Sequence, residues 1–319
     1  MRKRSFQPAL TLACFLSPLL LSAVVYSSRY LRRDVCPTEL DEPCPAPLLR
    51  THRWRGGWSK GLLELTLPGA PSAVRVHRTD LPGPLGESWW REVEGGHWEA
   101  GTLRALKVAL LARRGVHVDS GAWVGPTALL AAHFAVRVIA LEPDPWAFEV
   151  LAANVAANEA LPLTARRVCL APAPVTLTFT GGGMSGSTSL PGVLSPDYGQ
   201  FGANCGPLRA ILRAERVPLD GWSLWKLDVE GAEASLFPPA LPLLEEYGWP
   251  TVHLSLHTPF YGDNLEARTA LVAAMLHYPF IFRDGLVRVP SLTVEDAKGV
   301  VEFTLSTLDL AAEAGRRGL

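Results

Sequence analysis

The residues Leu224 to Glu230 read L-W-K-L-D-V-E and are followed by Gly231-Ala232-Glu233. On a strand, side chains alternate between faces, so Lys226, Asp228 and Glu230 are expected together, opposite Trp225, Leu227 and Val229. Three ionisable groups at the end of a central strand are costly unless they are paired or face a cleft. One reading is a Lys226–Asp228 ion pair beside a helix-capping Glu230. The other is a catalytic rim that positions and deprotonates an acceptor, and clustered titratable groups favour it. Further on, Thr251 to His257 sets His253, Ser255 and His257 on one face. His257 falls nearest the carboxyl edge, where an imidazole suits general-base work near neutral pH. A solvated edge-strand face is the bland alternative. The H-x-x-x-H spacing lies on a strand and lacks the glutamate of H-E-x-x-H, so no metal is expected.

A second constellation precedes it. Asp119-Ser120-Gly121-Ala122-Trp123-Val124-Gly125 follows the apolar run Val116 to Val118 and leads into a helical pattern. Glycines there permit positive φ and close backbone approach, and a helix N-terminus offers free N–H groups. The spacing is G-x-x-x-G, so the dinucleotide fingerprint G-x-G-x-x-G fails, which disfavours a nicotinamide-dependent oxidoreductase. No phosphate loop with its lysine is present, and Gly181-Gly182-Gly183 reads as a flexible loop. Glu142-Pro143 closes the next apolar run, and a carboxylate at that place can accept hydrogen bonds from both ribose hydroxyls. A nucleoside without a pyrophosphate fits this pair of features, and S-adenosyl-L-methionine is the commonest such ligand.

These residues need strands to carry them. Leu103, Leu106, Leu110 and Leu111 recur at helical spacing up to Arg114-Gly115, and Val116 to Asp119 reads as a buried strand. Thr127 to His133 is helical, Val136 to Leu141 is a second strand, and Asp144 is placed to N-cap a helix running to about Glu159. Val168 marks a third strand and Val175 to Phe179 another. Alternating strands and helices predict an α/β fold: a three-layer, Rossmann-like, mostly parallel sheet.

On these motifs the chain resembles the FkbM-type methyltransferases, a class I S-adenosylmethionine-dependent family. The matching pieces are Val118 to Gly125, Ile139 to Asp144, Leu151-Ala152-Ala153-Asn154-Val155-Ala156-Ala157-Asn158, and Lys226 to Glu233. The resemblance covers roughly Trp98 to Leu256 and implies a seven-stranded methyltransferase sheet and methyl transfer, usually to oxygen. It further implies that Asp119, Gly121 and Gly125 cradle the methionine portion and that Glu142 holds the ribose. Two features depart from the family. Trp123 stands where the family usually carries asparagine, so its indole is expected to pack against, cover or hinder the cofactor. Leu170-Ala171-Pro172-Ala173, taken as the end of the third strand, lacks the acid or amide often found beside the adenine.

The remaining expectations come from composition. Hydrophobic residues are 48% and charged residues 19% of 319, as in a globular chain. The first 33 positions hold six bases and no acid, which leaves 24 bases against 31 acids beyond them, a balance of about −7. An acidic body argues against nucleic acid as a partner. From Pro8 to Tyr26 no residue is charged, and such a run spans roughly 28 Å as a helix, close to the hydrocarbon core of a membrane. Residues 1–33 are therefore read as an uncleaved signal-anchor, with a cleaved signal and secretion as the alternative, and Arg2-Lys3-Arg4 favours a luminal (ER/Golgi) body. Residues 34–87 are a linker and N-terminal decoration with a strand over Leu62 to Leu67, and 88–319 the methyltransferase domain. Cys36 and Cys44 could close a small loop in an oxidising lumen. The acceptor is expected to be a glycan or small-molecule hydroxyl, and a catalytically silent, membrane-tethered binding module is the alternative function. The sequence carries no signal of oligomeric state.

Overall fold

The structure, a computed structural model, describes residues 58–79, 86–181, 188–189, 200–258 and 264–319, all within the compact unit Cys36–Leu319. The 1–33 leader, the Cys36–Cys44 loop and Gly182-Gly183 lie outside the described residues. No helix among the described residues is long and apolar enough to cross a membrane.

In chain order the elements are β1 (Trp58–Leu65), β2 (Val74–Thr79), α1 (Glu87–Glu94), α2 (Ala100–Ala112), β3 (Val116–Ser120), α3 (Pro126–Ala132), β4 (Arg137–Leu141), α4 (Pro145–Ala156) and β5 (Leu163–Arg166). Then come β6 (Cys169–Leu170), β7 (Val175–Gly181), β8 (Thr188–Ser189), β9 (Gln200–Gly206), α5 (Leu208–Ala214), β10 (Leu224–Leu227), α6 (Glu233–Leu236), α7 (Leu241–Glu246) and β11 (Thr251–His257). The chain closes with α8 (Leu265–Met275), β12 (Phe280–Arg283), β13 (Val287–Arg288), β14 (Val300–Ser306) and α9 (Leu310–Arg317).

The main sheet has eight strands in the order β13-β12-β14-β11-β10-β3-β4-β5. The five from β11 to β5 run parallel, and β14 is inserted antiparallel between β11 and β12. That insertion is what the class I methyltransferase sheet requires, so the expected Rossmann-like architecture is present, with the two-residue β13 added at one edge. Period-two alternation sends Val138 and Ala140 into one buried cluster and Ile139 and Leu141 into the other, which makes three layers. The central strands are buried on both faces, as parallel strands flanked by helices must be. Strand order reverses between β3 and β10: from β3 the chain builds outward through β4 and β5, and from β10 through β11. Open α/β sheets bind ligands at the carboxyl ends of strands beside such a reversal.

Asp144 caps α4 as expected, accepting from the backbone N–H of Trp146 and Ala147 at 2.8 and 2.9 Å, with Pro145 at the first helical position. Asn154 of α4 and Asn158 just beyond its end anchor the first hairpin. Asn154 is fully buried; it accepts from His77 N and donates to Val124 O in the glycine turn. Asn158 accepts from Arg75 N and donates to Arg75 O, standing in for a strand neighbour of β2. Leu63, Leu65, Val74 and Val76 thereby join the same buried cluster as Leu103 and Leu129.

Three expectations need correction. The third parallel strand is β5, Leu163–Arg166, not the segment around Val168; β6 pairs with β9 in a separate four-stranded sheet. The strand carrying His253 and His257 is not a solvated edge, because β14 returns from near the C-terminus to cover it. The strand of Lys226 ends at Leu227, so Glu230 reaches the site through a turn rather than by strand alternation. A disulfide unforeseen in the sequence, Cys169–Cys205, joins β6 to β9.

Candidate active site

At the reversal point, β3 and β10 stand side by side with Asp119 opposite Lys226, and Lys226 opposite His253 on β11. Asp119 is wholly buried. Its Oδ2 accepts from Thr127 Oγ1 at 2.6 Å and its Oδ1 lies 3.3 Å from Lys226 Nζ. Lys226 Nζ also lies 2.9 Å from Asp228 Oδ2 and donates to Gly121 O at 3.1 Å. Burial works against a charge on either group, yet their mutual attraction outweighs it: Asp119 is held well below the usual carboxylate range and Lys226 above the usual ammonium range. Lys226 is thus a buried bolt between the two β–α junctions. Its ammonium side chain is only 3% exposed, so the expected acceptor-facing role gives way to an organising one. The contacts of Asp119 are likewise internal, beneath the turn it was expected to open to the cofactor.

The glycine turn is shaped by the same closeness. A Cβ on Gly121, at φ +79°, would fall 1.8 Å from the backbone oxygen of Asp228. Gly125, at φ +100°, would meet Leu151 Cδ1 at 2.8 Å. Both glycines are therefore demanded by the protein's own packing as well as by conformation. Trp123 also has positive φ, 50°, an unusual state for a bulky residue. Its indole packs edge-on against Trp89 of α1 with ring centroids 5.0 Å apart, while Trp98 adds a second edge contact to Trp89 at 5.4 Å.

Glu142 sits at the carboxyl end of β4, beside this turn and nearly buried. Its Oε2 accepts from Trp123 N and its Oε1 from Asp144 N, each at 2.8 Å. Burial pushes its carboxyl up to about 8, against the pull of those two N–H groups. In its ionised form each oxygen keeps a lone pair for a further donor, so it could accept from two ribose hydroxyls. Pro143 turns the chain away immediately afterwards, and its carbonyl accepts from Arg167 Nε at 3.5 Å. The third strand ends at Arg166, so Leu170–Ala173 is not its end.

Beyond Lys226 the chain leaves β10 in a turn with positive φ at Glu230 and Gly231. Here Asp228, Glu230 and His257 converge: His257 Nε2 is 3.8 Å from Asp228 Oδ1 and 3.7 Å from Glu230 Oε2. Its Nδ1 lies 3.3 Å from Glu233 Oε1 and 3.1 Å from Ser255 O. Burial lowers the imidazole's proton affinity, but the three carboxylates more than reverse this and raise it to about 9. Burial lifts Glu230 to about 7. Asp228, Glu230 and His257 bring three ligand-type atoms within 4.8 Å of one another. Those carboxylates favour the protonated ring, whereas the general-base role expected of His257 needs the neutral one.

Three functional neighbours escaped sequence reasoning. Glu99 precedes α2 with φ 40° and is pushed up to about 8 by burial and by the charge of Asp228. Glu302 on β14 is opposite Ser255 and is raised by burial. Glu233 was read only as part of a motif. A lone acid at a helix start or in an alternating strand carries no sequence signal of its own; positive φ in a non-glycine residue is visible only in the fold.

No family model matches the sequence, and no curated protein matches it. The family resemblance therefore rests on the motif residues alone. Among solved structures, the chain is similar to the C-terminal domain of precorrin-6Y C5,15-methyltransferase from Rhodobacter capsulatus, at 15% identity over 64% of this chain and 86% of that one, TM-score 0.33. It is similar to an O-methyltransferase from Bacillus cereus in complex with SAH, at 11% identity over 65% and 79%, TM-score 0.34. It is also similar to the bifunctional kinase-methyltransferase WbdD, at 12% identity over 72% of this chain and 44% of that one, TM-score 0.39. These scores are too low to carry function; the assignment of a class I methyltransferase-like sheet rests on strand order and direction.

Proposed function

We propose that the chain is an S-adenosylmethionine-dependent O-methyltransferase acting on a glycan or small-molecule hydroxyl. The observation that carries this reading is the pairing of Glu142, buried beside the glycine turn on β4, with a carboxylate-rich turn across the strand-order reversal on β10. Glu142 would hold the ribose, and the backbone of Gly121 to Gly125 would line the methionine portion. The cofactor supplies a methyl group on a sulfonium, so the acceptor needs alignment and a place for its proton more than it needs activation. Asp228 and Glu230 are the groups able to receive that proton. Glu230, at about 7, is matched to neutral pH, and general-base help of this kind is worth about 10²–10⁴-fold. The buried acids would also repel a phosphorylated or carboxylated acceptor, which favours a neutral polyhydroxy one.

A luminal, membrane-anchored location is part of the proposal. It is supported by the apolar leader and by the Cys169–Cys205 bond, which suits an oxidising compartment. The silent-module reading draws support from the two N–H groups already on Glu142 and from the Trp123 indole. Calorimetry with S-adenosylhomocysteine separates the two: heat of binding that is lost in Glu142→Ala supports the enzyme reading. No binding by the wild-type chain would leave the silent module. Labelled-methyl incorporation into cell-surface polysaccharide and small-metabolite extracts then tests the acceptor class.

A further inference from the structure

Glu233 occupies an unusual place for a motif residue. It is fully buried at the start of α6, and its two carboxylate oxygens carry three separate contacts. Oε1 accepts from Val229 N at 2.9 Å, and Oε2 accepts from Gly231 N at 3.0 Å. These two bonds close the Asp228–Gly231 turn, whose positive φ at Glu230 would otherwise be free to relax. The same Oε1 also lies 3.3 Å from His257 Nδ1.

The contacts around His257 favour a protonated ring. The two near neighbours of Nδ1, Ser255 O and Glu233 Oε1, are acceptors, so Nδ1 carries a proton. Nε2 faces Asp228 Oδ1 and Glu230 Oε2, again acceptors, and a proton there is favoured too. Facing this imidazole are Asp228 and Glu230 from the turn after β10 and Glu233 from α6, while Lys226 of β10, Glu302 of β14 and Glu99 ahead of α2 act on Asp228. Lys226 is engaged by Asp119 and Asp228, and Asp228 acts on the imidazole together with Glu230 and Glu233.

We propose that Glu233 is a positioning residue: one carboxylate pins the turn bearing Asp228 and Glu230 and holds His257 as a cation that faces them. A fixed imidazolium beside Glu230 keeps that carboxylate ionised and ready to accept a proton, in a place where burial alone would neutralise it. This catalytic consequence rests on the methyltransferase reading; the charge state of His257 does not.

The test is a pH titration of His257 in the full-length, detergent-solubilised chain labelled with ¹⁵N-histidine, with the resonance assigned by its loss in His257→Gln. The expected wild-type midpoint is about 9. Glu233→Gln keeps the shape but removes the charge, and should lower the midpoint by at least about one unit, roughly a tenfold loss of proton affinity. Glu233→Asp should recover part of that shift. A purely structural Glu233 would lower the melting temperature and leave the midpoint in place, which overturns the inference. Should Glu233→Gln fail to fold, the wild type decides: a midpoint at or below the ordinary histidine value, or a neutral form with its proton on Nε2, also overturns it. Calorimetry with S-adenosylhomocysteine on the same wild-type sample tests the methyltransferase reading separately, since cofactor binding at β3 and β4 does not depend on the titration of His257.

Discussion

Replacing Lys226 by methionine should expose how much of the site's order depends on one buried ammonium. Methionine matches the length and fills the same apolar channel, so the change removes charge and hydrogen bonds while leaving little void. What remains is Asp119, wholly buried, with Thr127 Oγ1 as its hydrogen-bond donor. Asp228 is about a fifth exposed and can turn to water, so most of the penalty falls on Asp119. Breaking a buried pair by removing one partner costs about 3–5 kcal/mol. For a domain of this size each kcal/mol moves the melting temperature by about 2–4 °C, which gives a fall of roughly 6–20 °C.

The pH dependence gives the sharper check. In the wild type the folded carboxyl of Asp119 is held low, so its stabilising contribution is present above its unfolded value of about 4 and is lost as pH falls through the lower folded one. Without Lys226 the largest influence opposing burial is gone, His117 and Thr127 remain, and Asp119 takes up a proton at a higher pH. The gap between variant and wild type, read by thermal melts, should therefore be widest near about pH 7.5 and shrink toward about pH 5. A gap under about 2 °C at neutral pH, or one that stays constant over this range, would refute the view that Lys226 and Asp119 form the structural bolt. An Asp119→Asn/Lys226→Met double variant that recovers most of the loss would locate the penalty in the unpaired carboxylate.

Other substitutions separate roles. Glu142→Ala should weaken S-adenosylhomocysteine binding at least about tenfold, while Asp228→Asn should leave binding near wild type and lower methyl transfer; calorimetry beside a labelled-methyl assay reads both. Trp123→Asn keeps a residue that tolerates positive φ but loses the edge contact with Trp89, so it should cost about 0.5–1.5 kcal/mol of stability beyond area burial and spare cofactor affinity. Cys169→Ser should cost about 4 kcal/mol on chain-entropy grounds, since the bond closes a 36-residue separation, and reductant should reproduce the loss in the wild type but not in the variant. Raising the pH through about 9 should remove the stabilisation from the His257 cation, which is fully present below the ordinary histidine value; Glu233→Gln should shift that loss to lower pH in thermal melts.

The parts of this molecule that were legible in the sequence are those fixed by local pattern. Val116 to Asp119 and Val136 to Leu141 are apolar runs closed by turn residues, and Asp144-Pro145 can only begin a helix. The third strand was not legible because its residues, L-T-A-R, are less apolar than the neighbouring Val168-Cys169-Leu170, of which Cys169 and Leu170 belong to another sheet. The disulfide was not legible either: its partners are 36 residues apart and meet only because β6 and β9 pair in parallel. The exposure of the histidine strand was misjudged for a similar reason, since β14 lies more than 40 residues away and nothing near Thr251 announces it. At the site, the motif residues converge as their spacing suggested, but their roles changed once burial was visible. Lys226 became an anchor, His257 a cation, and the glycines answered to Asp228 O and Leu151.

The two histidines of β11 show why role could not be read from residue type. His253 and His257 lie on the same face, four positions apart, and both are buried. His253 is driven down to about 3 by burial and by the ammonium of Lys226 directly opposite, so it is a neutral ring bonded through Nδ1 to Thr304 Oγ1. His257 lies beyond the end of β10, past the ammonium and among the carboxylates of the turn, and is driven the other way. One lysine therefore divides this face of the sheet. On its near side the row Asp119, Lys226, His253 and Thr304 crosses four strands as a fixed, closed set of partners. On its far side Asp228, Glu230 and Glu233 gather around His257. Lys226 also contacts Asp228, so the order of the buried pair sets the geometry available to the carboxylate turn.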